Sequence, residues 1–309
     1  MKKVLFYNYD LNTNKKLFSV DDIAIGDDLL LPIKKTRAHL INSNIDCFTS
    51  EDIDFCNIDL FVILDFPLHV LNLVKKAKSS NIAVILVHME GHAIIKDPLS
   101  YKKNRELFDY VLSWYSPYKK FFKNKFRQIH FTFPEDKFIL NNTINKNIIC
   151  ISSNKFSIDF NELYSLKRKW IFDFNKNFPK RFDLFGFAWK NFILEGHNKF
   201  INLLNKLNLR LKIFSQDLLV YKGTINRKRD VLNMYTFSFI IENVSQDYWI
   251  TEKIFDSFIN GVIPIYLGCV NINDYIPSDC YINLNSFDSA NSLISYIDNL
   301  SDDDIPNYK

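Results

Sequence analysis

Glycine is scarce in this sequence, with seven in 309 residues. Neither GxGxxG nor GxxxxGK[ST] occurs, so there is no dinucleotide fingerprint and no P-loop. No GxSxG elbow points to a hydrolase. No apolar run reaches the roughly 18 residues that a membrane-crossing helix needs. The start, "MKKVLFYNYDLN", is basic, but its apolar stretch soon turns polar and reads as a first strand rather than a signal peptide. The five cysteines (Cys47, Cys56, Cys150, Cys269, Cys280) are scattered and form no CxxC pair. Reduced thiols in a cytoplasmic chain are therefore expected. Nor is there an excess of one charge: the net +4 is too mild to argue for a nucleic-acid partner.

What the chain has in quantity is apolar residue. At 47% hydrophobic it can build a substantial core, and its length suits two domains of about 150 residues each. The first half alternates strand-like and helix-like segments. "KVLFYNY", "IDLFVILDF", "IAVILVHME" and "FDYVLSW" read as buried strands, with helices near "LLLPIKKTRAHLINSN" and "LHVLNLVKKAKSS" between them. The alternation restarts at "NIICISSN" (Asn147–Asn154). It continues through the helix "FNELYSLKRKWIFDFNKN", the strand "RFDLFGF", a helix at "NKFINLLNKLN" and the strand "FSFIIEN". A helix "TEKIFDSFIN", a strand "VIPIYLG" and a closing helix at "SANSLISYIDNL" complete it. This predicts two α/β units with parallel sheets, residues 1–145 and 146–309. In such folds ligands bind outside the carboxyl ends of strands, in a cleft between domains.

The residues that follow strands therefore matter most. Thr251 is a good N-cap type, and Gly261 stands where a helix-ending glycine belongs. Glu252 suits the first turn of that helix, but Lys253 does not, unless an anion is also present. A phosphate site and a tolerated surface lysine both remain open from the residues alone. Glu242 and Asn243 end the preceding strand, either lining the cleft or capping the strand. In the first half, "IAVILVHMEGHAI" runs a strand into His88, Glu90 and Gly91. Glu90 at such an end could be a partly desolvated general base or an ordinary turn carboxylate. His88 and His92 could begin a metal site, but no third ligand is placed, so no metal is predicted. "DID" at Asp52–Asp54 precedes its strand and reads as loop. The run "YKKFFKNKFRQ" from Tyr118 mixes Lys with Phe. It suits either an anionic membrane surface, as a peripheral contact, or more simply a solvated helix face.

The stretch "FSFIIENVSQDYWITEKIFDSFINGVIPIYLG" resembles the signature of the α-1,3-fucosyltransferases, glycosyltransferase family 10. The matching elements are Glu242-Asn243, Trp249, Ile250-Thr251-Glu252-Lys253, Pro264 and Gly268. Upstream, "ISSN" is similar to the family's Ser-Asn loop, which gives Ser153 and Asn154. "RKWIFDFN" resembles the helix with a phosphate-binding arginine, which gives Arg168. "LVHMEGHAIIKDP…FDYVLSW" resembles the segment with the catalytic carboxylate, which gives Glu90. At the position before Ile-Thr-Glu-Lys the family usually has Tyr and this chain has Trp249, so Tyr248 is the alternative phenol. The resemblance implies a GT-B fold of two Rossmann-like domains, the N-terminal one for the acceptor and the C-terminal one for the nucleotide sugar. It also implies an inverting, metal-independent transfer of L-fucose from GDP-fucose to a glycan hydroxyl, α-1,3 to GlcNAc or Glc, with no cofactor. Glu90 and Glu252 are the implied catalytic residues. Arg168, Lys253, Asn243, Glu242, Trp249, Tyr248, Thr251, Ser153 and Asn154 are the implied donor ligands. The rival readings are another nucleotide-sugar donor on the same fold, or a non-catalytic binding relative.

Overall fold

The computed structural model describes residues 1–18, 30–50, 53–92, 95, 97, 99–130, 145–157, 159–190, 193, 194, 203, 204, 206, 207, 218–301 and 305. The chain divides into two compact units, Met1–Phe133 and Pro134–Lys309. The division falls in the undescribed stretch 131–144, earlier than the expected 145/146. Most of the expected helix at "NKFINLLNKLN" lies outside the described residues.

The first unit is built on strands β1 (Lys2–Asn8), β2 (Ile45–Thr49), β3 (Leu60–Leu64), β4 (Ala83–His88), β5 (Tyr110–Ser113) and β6 (Phe126–Gln128). All are parallel, in the order β2-β1-β3-β4-β5-β6. Among the described residues five α-helices connect them: α1 (Leu11–Lys16), α2 (Leu31–Asn42), α3 (Leu71–Ser79), α4 (Lys102–Arg105) and α5 (Lys119–Phe122). Strand β3 is apolar without interruption and buried from Phe61 to Leu64. A parallel strand covered on both faces needs that pattern rather than alternation. One apolar cluster, centred on Leu5, Phe61 and Val111, forms on one face, and a second, with Val4, Val62 and Leu64, on the other. The Lys/Phe run is not one helix face. Helix α5 ends at Phe122, Lys123 turns through a left-handed φ of 50°, and the chain then enters the edge strand β6.

The second unit repeats the scheme with β7 (Ile148–Ile151), β9 (Phe182–Phe185), β11 (Tyr221–Gly223), β12 (Phe237–Ile241), β13 (Ile263–Leu267) and β14 (Ile282–Asn283). These are parallel in the order β11-β9-β7-β12-β13-β14, and β8 (Lys155–Phe156) pairs separately with β10 (Ile193–Leu194). Helices α6 (Tyr164–Asn177), α7 (Arg229–Leu232), α8 (Glu252–Ile259) and α9 (Ala290–Asn299) pack on the sheet. Strands β12 and β13 are buried at every position. Phe174 of α6 stacks on Phe182 of β9 at 4.2 Å and 12°.

Strand order fixes where each unit can bind. The chain reverses its direction of winding between β1 and β3 in the first unit and between β7 and β12 in the second. Connections leave to opposite sides there, which opens a crevice at the carboxyl ends. Asp65 follows β3; Ser152 follows β7 and Glu242 follows β12.

Candidate functional site

The crevice between β7 and β12 contains a pocket lined by Ser152, Lys167, Lys228, Lys253 and Asp256, among others. Glu242 supports it from below. Its side chain is fully buried, which would be costly for a carboxylate without partners. It has four bonds. Oε1 accepts from the Thr251 N–H at 3.1 Å and from Thr251 Oγ1 at 2.8 Å; Oε2 accepts from Thr251 Oγ1 at 2.9 Å and Lys253 Nζ at 2.9 Å. Glu242 is thus a strut that holds the start of helix α8. Gly268 makes room for it, because a Cβ there would lie 2.4 Å from Glu242 Cγ.

This arrangement corrects the expected role of Thr251. It occupies the N-cap position of α8, but its hydroxyl makes no capping bond and turns to Glu242 instead. The first turn is therefore not capped by Thr251, and the Glu252 N–H meets its own carboxylate. At the other end Gly261, at φ 62°, closes α8 as expected. Ile254 and Ser257 of α8 are buried, and Phe255 and Phe258 pack half-buried against the cluster to which Ile254 belongs.

Three lysines line the pocket in different states. Lys253 Nζ bonds Glu242 and also Thr251 Oγ1 at 2.8 Å, with Glu252 Oε1 at 3.9 Å. Burial works against its ammonium, but the two carboxylates outweigh that and raise its pKa. Lys228 Nζ joins Asp256 Oδ2 at 2.6 Å and Glu252 Oε1 at 3.4 Å. Glu252 is drawn down to about 2: burial opposes its charge, but Lys253 and Lys228 prevail. Lys167, only 3% exposed, has no carboxylate bonded to it among the described residues; its Nζ faces the Tyr164 ring at 5.5 Å. Burial and the nearby Lys253 charge pull it down to about 8, despite Cys150 and Glu242. Of the three, Lys167 has the charge best placed to be completed by an incoming anion.

The remaining expected donor residues are not in the lining of the pocket. Arg168, next to Lys167, lies outside the pocket. It donates to the Lys155 carbonyl and to Ser165 Oγ at 3.0 Å, and covers the Phe156 ring. Trp249 is buried at 4% exposure, whereas Tyr248 is half-buried on a left-handed turn at φ 68°, its N–H bonded to Asn271 Oδ1 at 2.8 Å. Tyr248 is thus the more accessible ring of the pair. Asn243 is half-buried beside Glu242 and pins Leu163 through its backbone carbonyl. Ser153 is half-buried in the loop after β7. Asn154 is 92% buried, with a side-chain oxygen that has no hydrogen-bond partner among the described residues.

In the first unit Glu90 follows β4 with its backbone held on both sides. Its N–H donates to Asp65 Oδ1 at 2.9 Å, and its carbonyl accepts from Trp114 Nε1 at 3.3 Å. Asp65 is a residue the sequence reading missed. It is 2% exposed, left-handed at φ 62°, and also accepts from the Met89 N–H at 2.6 Å. Burial and the Glu90 charge push it up to about 8 against those two N–H bonds. His88 is fully buried, bonded at Nδ1 to Ser113 Oγ at 2.9 Å and stacked on His92 at 5.3 Å and 20°. Burial and the neighbouring His92 hold its pKa well below the usual imidazole value. Among the described residues no group of three His, Cys, Asp or Glu is placed to hold a metal.

Comparison with known proteins then meets this geometry. Residues 189–308 match the model for glycosyltransferase family 10 (fucosyltransferase), C-terminal part. The matched stretch is 120 of the 309 residues. Within that stretch lie Glu242, Lys253 and the signature around them. An α-(1,4)-fucosyltransferase of Arabidopsis thaliana is 34% identical over 74 residues, 24% of this chain and 18% of the relative. An α-(1,3)-fucosyltransferase B of Drosophila melanogaster is 39% identical over 72 residues, 23% of this chain and 16% of the relative. The chain thus spans less than a fifth of the length of either relative. An α1,3-fucosyltransferase crystal structure superposes at TM-score 0.59 with 12% identity, covering 99% of this chain and 80% of that one. The same enzyme class solved with GDP-fucose gives TM-score 0.52 at 11% identity and the same coverage. Identity at that level speaks for the fold, which is of the GT-B class with two Rossmann-like units.

Proposed function

We propose that the protein is an inverting fucosyltransferase that moves L-fucose from GDP-fucose to a hydroxyl of a glycan acceptor, without a metal. The family 10 match and the lysine-lined pocket at the β7/β12 crevice support this reading. The observation that carries it is Glu242 holding Thr251 and Lys253 at the start of α8. That grouping puts a helix start that Thr251 leaves uncapped beside an ammonium, which suits a diphosphate leaving group.

In the proposed reaction the acceptor oxygen attacks the anomeric carbon from the face opposite the phosphate. Glu90 takes the hydroxyl proton. The bond from the anomeric carbon to the phosphate oxygen breaks, and GDP leaves with the electron pair. Lys253, Lys167 and the first-turn amides of α8 receive that charge. Glu252, kept ionised by Lys228 and Lys253, faces the developing positive charge on the sugar or holds the ribose. Tyr248 and Asn243 hold donor hydroxyls. Ser153 and Asn154 border the nucleotide, and Glu242 and Trp249 position the residues that touch it. Lys167 takes the phosphate role expected of Arg168, which is already committed to Lys155 and Ser165. The linkage is proposed as α-1,3 to GlcNAc or Glc of a galactose-containing glycan.

The test is incubation with GDP-fucose and a panel of galactose- and N-acetylglucosamine-terminated acceptors, in the presence and absence of EDTA, read by mass spectrometry. A deoxyhexose added to one acceptor, undiminished by EDTA, is the expected result. Competition by GDP but not UDP confirms the nucleotide. Transfer from UDP-sugars alone, or GDP binding without turnover on any acceptor, overturns the reading.

A further inference from the structure

The cations of this chain are unevenly placed. Residues 101–128 contain eight of them (Lys102, Lys103, Arg105, Lys119, Lys120, Lys123, Lys125, Arg127) against Glu106 and Asp109, a net +6 where the whole chain has +4. The remainder is therefore slightly acidic, and the positive field belongs to one part of the first unit. Asp109 is neutralised locally, bonded to Lys78 at 2.8 Å. All the lysines of this segment are exposed.

Packing brings the two halves of the segment together. The Arg105 guanidinium of α4 lies 3.5 Å from the centre of the Phe121 ring on α5, and Lys120 Nζ is 4.7 Å from the same ring. Lys103 approaches the Tyr101 ring at 6.0 Å. Phe121 is 40% exposed and Tyr101 54%. The patch thus combines exposed rings with exposed lysines on α4, on α5 and on the chain leading into the edge strand β6.

Protection of the sheet edge explains part of this, since lysines on an edge strand block pairing with another chain. It accounts for Lys125 and Arg127, at or beside β6. It leaves Lys102, Lys103, Lys119 and Lys120, which are on helices, unexplained. Single-stranded nucleic acid would need open ring faces for stacking, and the Phe121 face is occupied by Arg105 and Lys120. A bilayer surface needs neither open faces nor a groove. It needs cations spread over an area and aromatic rings at headgroup depth.

We infer that this face of the first unit docks on the anionic headgroups of a lipid bilayer. Lysines and arginines provide the attraction, and Phe121 and Tyr101 enter the headgroup layer. The inference does not depend on the donor-site reading, because every residue it uses lies in the first unit and outside the pocket. It would hold a glycan-modifying enzyme where lipid-linked acceptors lie.

Flotation of the full chain with vesicles tests it. Phosphatidylcholine vesicles doped with phosphatidylglycerol should bind the protein and pure phosphatidylcholine vesicles should not. Binding should collapse near 1 M salt, where the screening length falls to about 3 Å. Replacing one exposed lysine with glutamine should weaken binding about fivefold. The triple variant Lys119→Gln/Lys120→Gln/Lys123→Gln should then lose on the order of a hundredfold. Phe121→Ser should weaken binding while leaving its salt dependence unchanged. An unchanged thermal melt shows that the variants fold. Equal binding to both vesicle types, no binding to either, a triple variant that binds like the parent, or displacement by equimolar single-stranded oligonucleotide would each overturn the proposal.

Discussion

Lys167 shows how a residue's function depends on the helix face it occupies. Helix α6 buries Tyr164, Lys167, Trp170, Ile171 and Phe174. That spacing of three and four is an apolar stripe with one lysine in it. The signal was present in the sequence, but the family resemblance drew attention to Arg168, which is about 100° around the helix. Burial decides between them, because a buried lysine without a bonded carboxylate loses its charge readily. With its pKa at about 8, Lys167 is largely neutral in the free protein at pH 9. An incoming diphosphate favours the charged form, so GDP binding there should take up a proton. Affinity should fall as pH rises through 8, because the proton must be gathered from a scarcer supply. Titration calorimetry at pH 9 in buffers of different ionisation enthalpy should show a buffer-dependent heat in the parent and none in Lys167→Met. A buffer-independent heat in the parent would exclude Lys167 from the phosphate site.

At the scale of elements, the long parallel strands were legible because both faces are covered, which leaves uninterrupted apolar runs such as those of β3, β12 and β13. The sequence reading passed over β2, β6, β11 and β14. All four are edge strands; β6, β11 and β14 have three residues or fewer, and β2 is half-buried at four of its five positions. Pairing that defines such strands comes from neighbours, not from their own pattern. Helix α8 was legible in position and in its C-terminal glycine, while the use of Thr251 was not, because the partner Glu242 is nine residues away, beyond an irregular connection. Gly268 is the position where that contact can be tested. Gly268→Ala drives a Cβ into Glu242 Cγ and Cβ, at 2.4 and 2.5 Å. Overpacking of this kind costs about 1–3 kcal/mol. We expect a lower urea midpoint together with weaker GDP binding, since displaced Glu242 releases Thr251 and Lys253. A variant with parental GDP affinity would show that the strut is not needed for the site.

On the scale of the whole molecule, two α/β units were legible from the restart of the strand–helix alternation, and the two units carry different chemistry. The first places a buried carboxylate, Asp65, beside the half-buried Glu90 at the ends of β3 and β4. Asp65, raised to about 8, keeps its proton in the folded state while the unfolded chain releases it near pH 4. Folding stability should therefore fall as pH rises from about 4 to 8, by up to ~1.4 kcal/mol per pH unit from this group. Asp65→Asn keeps an oxygen for the Met89 and Glu90 N–H groups and removes the titration. The difference between the two urea-midpoint profiles then reports Asp65 together with its coupling to Glu90. Parallel profiles would mean that Asp65 is ionised throughout.

The division of labour between units gives the sharper consequence. If the second unit binds the donor and Glu90 supplies the base, the two functions should separate under a single substitution. Glu90→Gln preserves side-chain size and the backbone bonds to Asp65 and Trp114, which involve only its N–H and carbonyl. It removes the site that accepts the acceptor proton. GDP affinity, set by residues of the other unit, should stay within error of the parent, while transfer falls by at least ~10². The loss should appear in kcat rather than in the KM for GDP-fucose, because the interaction arises only as the hydroxyl attacks. Full turnover in Glu90→Gln would move the base to another carboxylate. Lost GDP binding would mean instead that the first unit helps hold the donor.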